Sequence, residues 1–108
     1  MASLIVILWR DIPSQVIVKR GRETAKVQLT MRFQEAIDRA AMRAGKGSSD
    51  AYLADWRRSA PAVCGEDLAV EAASAAAALE ARYSDADLER MIRAKGNDAA
   101  AESSSDQS

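Results

Sequence analysis

The sequence has no histidine, one cysteine, two prolines and five aromatic residues in 108 positions. Without histidine, the commonest general base and metal ligand is missing, and so is every Ser-His or Cys-His arrangement. A lone cysteine with no histidine leaves zinc without a ligand set. Cys64 cannot close an internal disulfide, so nothing points to an oxidising compartment. Glycines are scattered at Gly21, Gly45, Gly47, Gly65 and Gly96, and "GKGSS" has neither the preceding strand nor the spacing of a phosphate loop. Independent catalysis is therefore not expected, and no catalytic residue, metal site or cofactor is assigned.

Long hydrophobic runs are also missing. "LIVILW" is far shorter than the roughly 20 apolar residues that span a bilayer. Only Met-Ala-Ser precedes it, without the basic region or cleavage site of an export signal. No contact with a membrane is expected, and the cytoplasm is the default compartment. Aromatics are few and alanines many, so the second half of the chain can bury only thin side chains, at roughly 25 cal/mol per Å².

What the sequence does have is asymmetry of charge. Residues 1–47 carry nine Lys/Arg against four Asp/Glu, a net of +5. Residues 48–95 have a net of −3, and residues 96–108 add three acids and no base. The basic first half suits an acidic partner.

Length and order predict one α+β domain over residues 1–95, followed by a disordered acidic tail over 96–108. Leu4–Trp9 has no polar alternation and reads as a central strand buried on both faces. Pro13 interrupts it, Gln15–Arg20 resumes, "KRGRET" turns at Gly21, and Ala25–Leu29 returns as a third strand. Thr30 is placed to cap a helix carrying Phe33, Ile37, Ala40 and Ala44, with Gly45 at its end. "KGSS" reads as a flexible joint, and Ser49 as the cap of a short helix with Tyr52, Leu53 and Trp56. The stretch around Pro61 is irregular, with room for a short strand. A stripe of Leu68, Ala72, Ala75, Leu79 and Tyr83 predicts a helix within Glu66–Tyr83. "SDAD" resembles a capping box opening a last helix, Asp85–Lys95, with Leu88, Met91 and Ile92. The expected architecture is a three-stranded, mostly antiparallel sheet followed by about four helices packed on it.

Two groups could carry binding. Trp9-Arg10-Asp11 and Trp56-Arg57-Arg58 both set an aromatic beside charges, the residue types enriched at interface hot spots. The competing reading makes both tryptophans fillers of a thin core, and the balance leans slightly that way. Lys19, Arg20, Arg22 and Lys26 crowd the second hairpin, where they could meet phosphates. Charged hairpins are more often simply solvated and guard sheets against aggregation, and no aromatics interleave here for base stacking. Cys64 precedes a helix start that could activate a thiol, but Glu66 and Asp67 oppose a thiolate.

At "LIVILWRDIPSQVIVKRGR", "RFQEAIDRAAMRAG" and "DAYLADWRR" the chain resembles a family of small bacterial proteins labelled "virulence factor", over most of residues 3–94. The label names a phenotype and carries no catalytic motif. The resemblance implies an accessory subunit of a folate one-carbon or corrinoid methyltransferase system.

Three functional expectations follow. The first is a non-catalytic accessory protein that docks on a larger enzyme through part of its sheet and the Trp-Arg groups, which calls for an exposed Trp9 or Trp56. The second is a nucleic-acid or polyanion binder using Lys19, Arg20, Arg22 and Lys26. The third, an enzyme with Cys64 or a carboxylate in a cleft, needs a reactive thiol. A homodimer through a sheet edge or the alanine-rich helix would relieve incomplete burial under any of them.

Overall fold

The computed structural model describes residues 2–45 and 49–97. Three long strands come first: β1 (Ala2–Trp9), β2 (Ile12–Arg20) and β3 (Glu23–Gln28). Then follow α1 (Met31–Arg43), α2 (Ser49–Ala54), two short strands β4 (Trp56–Arg58) and β5 (Ala62–Cys64), α3 (Leu68–Arg82) and α4 (Asp85–Arg93). The class is α+β and every strand pair is antiparallel. The sheet has five strands, in the order β3-β2-β1 with β4 and β5 both pairing with the far side of β1. That corrects the expected three-stranded sheet. The missed strands are three residues each and sit on either side of Pro61, too short for any periodicity to register.

β1 is central, as its apolar run predicts, but the helices pack on one face only. Val16, Val18, Ala25, Val27 and Leu4 point into the core shared with Phe33, Ile37, Ala72 and Met91. Ile5 and Ile17, which are paired across β1 and β2, are buried yet lie outside that core. They belong to the opposite face. A bulge at Ile7/Leu8 shifts the β1–β2 register, and beyond it Trp9 and Ile12 join the helix-packed core with no exposed surface.

The helices end where local chemistry dictates. Ser84 and Asp87 form a reciprocal capping box at α4, in which the Ser84 hydroxyl accepts from Asp87 N–H and the Asp87 carboxylate accepts from Ser84 N–H. Those bonds hold the Asp87 carboxyl below its ordinary value, the Ser84 amide first and Arg90 next. Asp67 caps α3 through Val70 N–H. Thr30 departs from expectation. It is the residue before α1 but makes no side-chain cap, because its hydroxyl and its amide both donate to Glu80, at 3.0 and 2.7 Å. Arg32 adds a guanidinium bond to the same carboxylate and one to the Glu80 carbonyl, tying the start of α1 to the end of α3. Burial alone would raise the Glu80 pKa, but the Thr30 and Arg32 bonds outweigh it and lower the value. The expected joint at 46–48 and the tail from 98 onward lie outside the described residues, as does the side chain of Ser49.

Candidate functional site

Pairing of β1 with β4 brings the two Trp-Arg groups side by side: Trp9 faces Trp56, Leu8 faces Arg57 and Ile7 faces Arg58. The resulting corner is a clamp. Trp9 is 0% exposed, its indole N–H donates to the Tyr52 carbonyl at 2.9 Å, and its ring stacks on Tyr52. Tyr52 in turn meets Trp56 edge-on. Arg10 lies over the Trp9 ring, pairs with Asp55 at 3.3 Å and donates to the Lys95 carbonyl at 2.8 Å. Its backbone sits at φ 53, a region that is uncommon outside glycine, and these contacts hold it there. Asp11 N–H donates to the Gly96 carbonyl, and the Asp11 carboxylate faces Arg57 at 3.7 Å.

Gly96 closes the clamp. It has φ 95, and a Cβ there would lie 2.6 Å from Trp9 Cζ3. Only glycine lets the chain after α4 pass so close to the indole. Trp9 therefore offers no surface to a partner, and Arg10 and Asp11 are engaged in the clamp. Trp56 is half-buried, while Arg57 and Arg58 are exposed.

The four bases of the second hairpin do not stay together. Arg20 turns toward α3, where it meets Glu23 at 3.0 Å and Glu66 at 3.9 Å. Arg22 is exposed in the turn, and Lys19 and Lys26 are exposed on the strands. Residues paired across an antiparallel ladder share a face. The registers therefore place Ser3, Lys19, Thr24 and Val63 in one row, Ile5, Ile17 and Lys26 in the next, and Ile7, Gln15, Gln28 and Arg58 in a third. This is the face opposite the helices. Its rows hold Ile5 and Ile17, both buried, a partly exposed Ile7, an exposed Val63, three bases and no acid. Lys19, Lys26 and Arg58 make no ion pair among the described residues. The helical side is different, with Arg32, Arg39 and Arg90 all paired with acids.

The assembly of this face depends on long-range registers that no local pattern reveals. The hairpin bases and Arg58 were visible as charges. Their convergence was not.

Other sites are closed or weak. The groove between α1 and α4, about 290 Å³, is crossed by the Arg39–Glu89 and Arg32–Asp85 pairs. Cys64 is partly exposed, and burial followed by the charges of Glu71 and Glu66 pushes its thiol up, away from a reactive thiolate. Among the described residues, no group of three or more His, Cys, Asp or Glu could hold a metal. No helix among them is long and apolar enough to cross a membrane. No curated protein and no solved structure matches the chain. A family model described as "Virulence factor" matches residues 7–92, from the end of β1 almost to the end of α4, and the chain belongs to that family.

Proposed function

We propose that this chain is a non-catalytic accessory protein that docks on a larger, acidic protein through the open face of its sheet. One observation carries the reading: on the sheet face turned away from the main core, the partly exposed Ile7 and the exposed Val63 lie among Lys19, Lys26 and Arg58, with no acid in those rows and no ion pair to the three bases among the described residues. Val63 and the exposed part of Ile7 supply the apolar contact, since Ile5 and Ile17 are already buried, and the bases Lys19, Lys26 and Arg58 steer an acidic surface into register. The buried Trp9 serves the interaction indirectly, by fixing the corner from which β4 hangs. A one-carbon enzyme is the partner that the family resemblance implies, and the geometry of the face is neutral on that identity.

The second reading is polyanion binding by Lys19, Arg22, Lys26 and Arg58. The same bases favour it, whereas the aliphatic side chains of Ile7 and Val63 among them, in place of aromatics, favour protein over stacked bases. A pull-down from nuclease-treated native lysate, at low and high salt, separates the two. A stoichiometric acidic protein, released by salt and by the combined Lys19→Glu, Lys26→Glu and Arg58→Glu variant, supports docking. Recovery of nucleic acid alone, when nuclease is omitted, supports the second reading and removes the first.

A further inference from the structure

The open face ends, on one side, in a strand edge with unused hydrogen-bonding groups. β2 and β3 are joined by the two-residue turn Gly21-Arg22, with Gly21 at φ 59 in the first central position that a type II′ hairpin turn requires. In such a hairpin the flanking pair, Arg20 and Glu23, exchanges both backbone bonds, and the bonded pairs then alternate. Glu23, Ala25 and Val27 thus bond to β2, and the sequence of bonds continues with Leu29 N–H donating to the Ser14 carbonyl at 2.9 Å. The N–H and C=O groups of Thr24, Lys26 and Gln28 point the other way, out of the sheet. They have no backbone partner among the described residues.

The opposite edge is built differently. It consists of two three-residue strands broken by Pro61, a short and interrupted edge of the kind that resists pairing. β3 offers six continuous residues. Its exposed side chains also select the occupant. Lys26 and its diagonal neighbour Lys19 face the open side without an acid, so two copies pairing through β3 would gather four lysines on one face. An incoming strand with acids at alternate positions would satisfy them. Its intervening side chains would enter the cleft of about 780 Å³ between β3 and the start of α3, beside Ala25, Leu68 and Ala69. The acids of that cleft are already engaged, Glu23 and Glu66 with Arg20, and Asp67 with the Val70 amide. Apolar side chains suit it.

We infer that the outer edge of β3 is a strand-addition site for an extended segment of the partner with acidic residues at every second position and apolar ones between. This rests on the proposed docking function and adds its mode: main-chain bonds to Thr24, Lys26 and Gln28 for affinity, and Lys19 and Lys26 for selection.

Amide hydrogen exchange on the full chain tests it, with a synthetic eight-residue peptide of alternating Glu and Val as the probe, at up to about 1 mM, and a Lys-Val peptide as control. Strand addition slows exchange at least tenfold at amides 24, 26 and 28 and leaves 23, 25 and 27 unchanged, since those are already bonded. The Lys-Val peptide has no such effect. Thr24→Pro removes one outward N–H without touching the β2 ladder, so the fold persists and the protection is lost. If Thr24→Pro does not fold, the alternating pattern in the unaltered chain still decides. Shifts at Ile5, Ile17 and Arg58 without amide protection overturn strand addition while leaving face docking intact. Absence of protection with the acidic peptide, or equal protection with the Lys-Val peptide, also overturns it.

Discussion

The two sides of this sheet use charge in opposite ways. On the helical side, arginines are spent on architecture. Arg32 joins α1 to Glu80 and Asp85, Arg39 reaches Glu89 of α4, and Arg10 links the β1–β2 turn to Asp55 and the end of α4. On the open side, Lys19, Lys26 and Arg58 lie in the rows of Ile5, Ile7 and Ile17 and meet no carboxylate among the described residues. Charge that serves folding arrives with its partner in the chain. Charge left without one, beside apolar surface, is what a docking face requires. The contrast also explains how a chain with five aromatics keeps its fold: three of them, Trp9, Tyr52 and Trp56, are concentrated at one corner.

Substitutions should therefore divide sharply by side. Trp9→Ala empties the corner and should cost about 3–5 kcal/mol in urea unfolding, the range for a fully buried aromatic. A value under about 1 kcal/mol would mean that the clamp is not the keystone of β4. Gly96→Ala should come next, at about 1–3 kcal/mol. Its Cβ would overlap the Trp9 ring at 2.6 Å, and φ 95 strains any other residue.

Glu80→Gln should cost less, about 1 kcal/mol, because the carboxylate is partly exposed and keeps some bonding as an amide. Its signature is in pH. The folded Glu80 pKa lies below its ordinary value of 4.5, so its stabilisation is complete above that value and is lost as pH falls through the folded one. Thermal scans from pH 7 downward should show the unaltered chain losing more stability in this acid range than Glu80→Gln does. Identical profiles would remove Glu80 as a linchpin. The smallest effect on folding belongs to the open face. Lys19→Glu, Lys26→Glu and Arg58→Glu together should change stability by no more than about 0.5 kcal/mol, as exposed charges away from packing do.

Much of the fold is legible from residues in the sequence, and the failures share a cause. The apolar run of β1, the hairpin at Gly21, the capping box at Ser84 and the Leu88-Met91-Ile92 stripe are local patterns, and each sits where its pattern places it. β4 and β5 form because β1 has a free side to pair with, which their own three residues do not announce. Thr30 has the chemistry of a cap, but a carboxylate fifty residues away competes better for its hydroxyl. The site follows the same rule. Lys19, Lys26 and Arg58 are plain in the sequence as charges, and so are the two Trp-Arg groups. Burial in the core shows that Trp9 turns inward, and the ladder registers bring the three bases into neighbouring rows, neither of which a local pattern announces.

The most direct test of that division is a matched pair of charge reversals in the full chain, captured from nuclease-treated lysate. One carries Lys19→Glu, Lys26→Glu and Arg58→Glu on the open face. The other carries Arg43→Glu, Arg82→Glu and Arg93→Glu, all exposed on the helices, for the same change in net charge. Docking through the open face predicts a stoichiometric acidic protein partner retained by the unaltered chain and the helical variant, and lost by the face variant alone. Equal retention by both variants, or loss with the helical variant only, would contradict it.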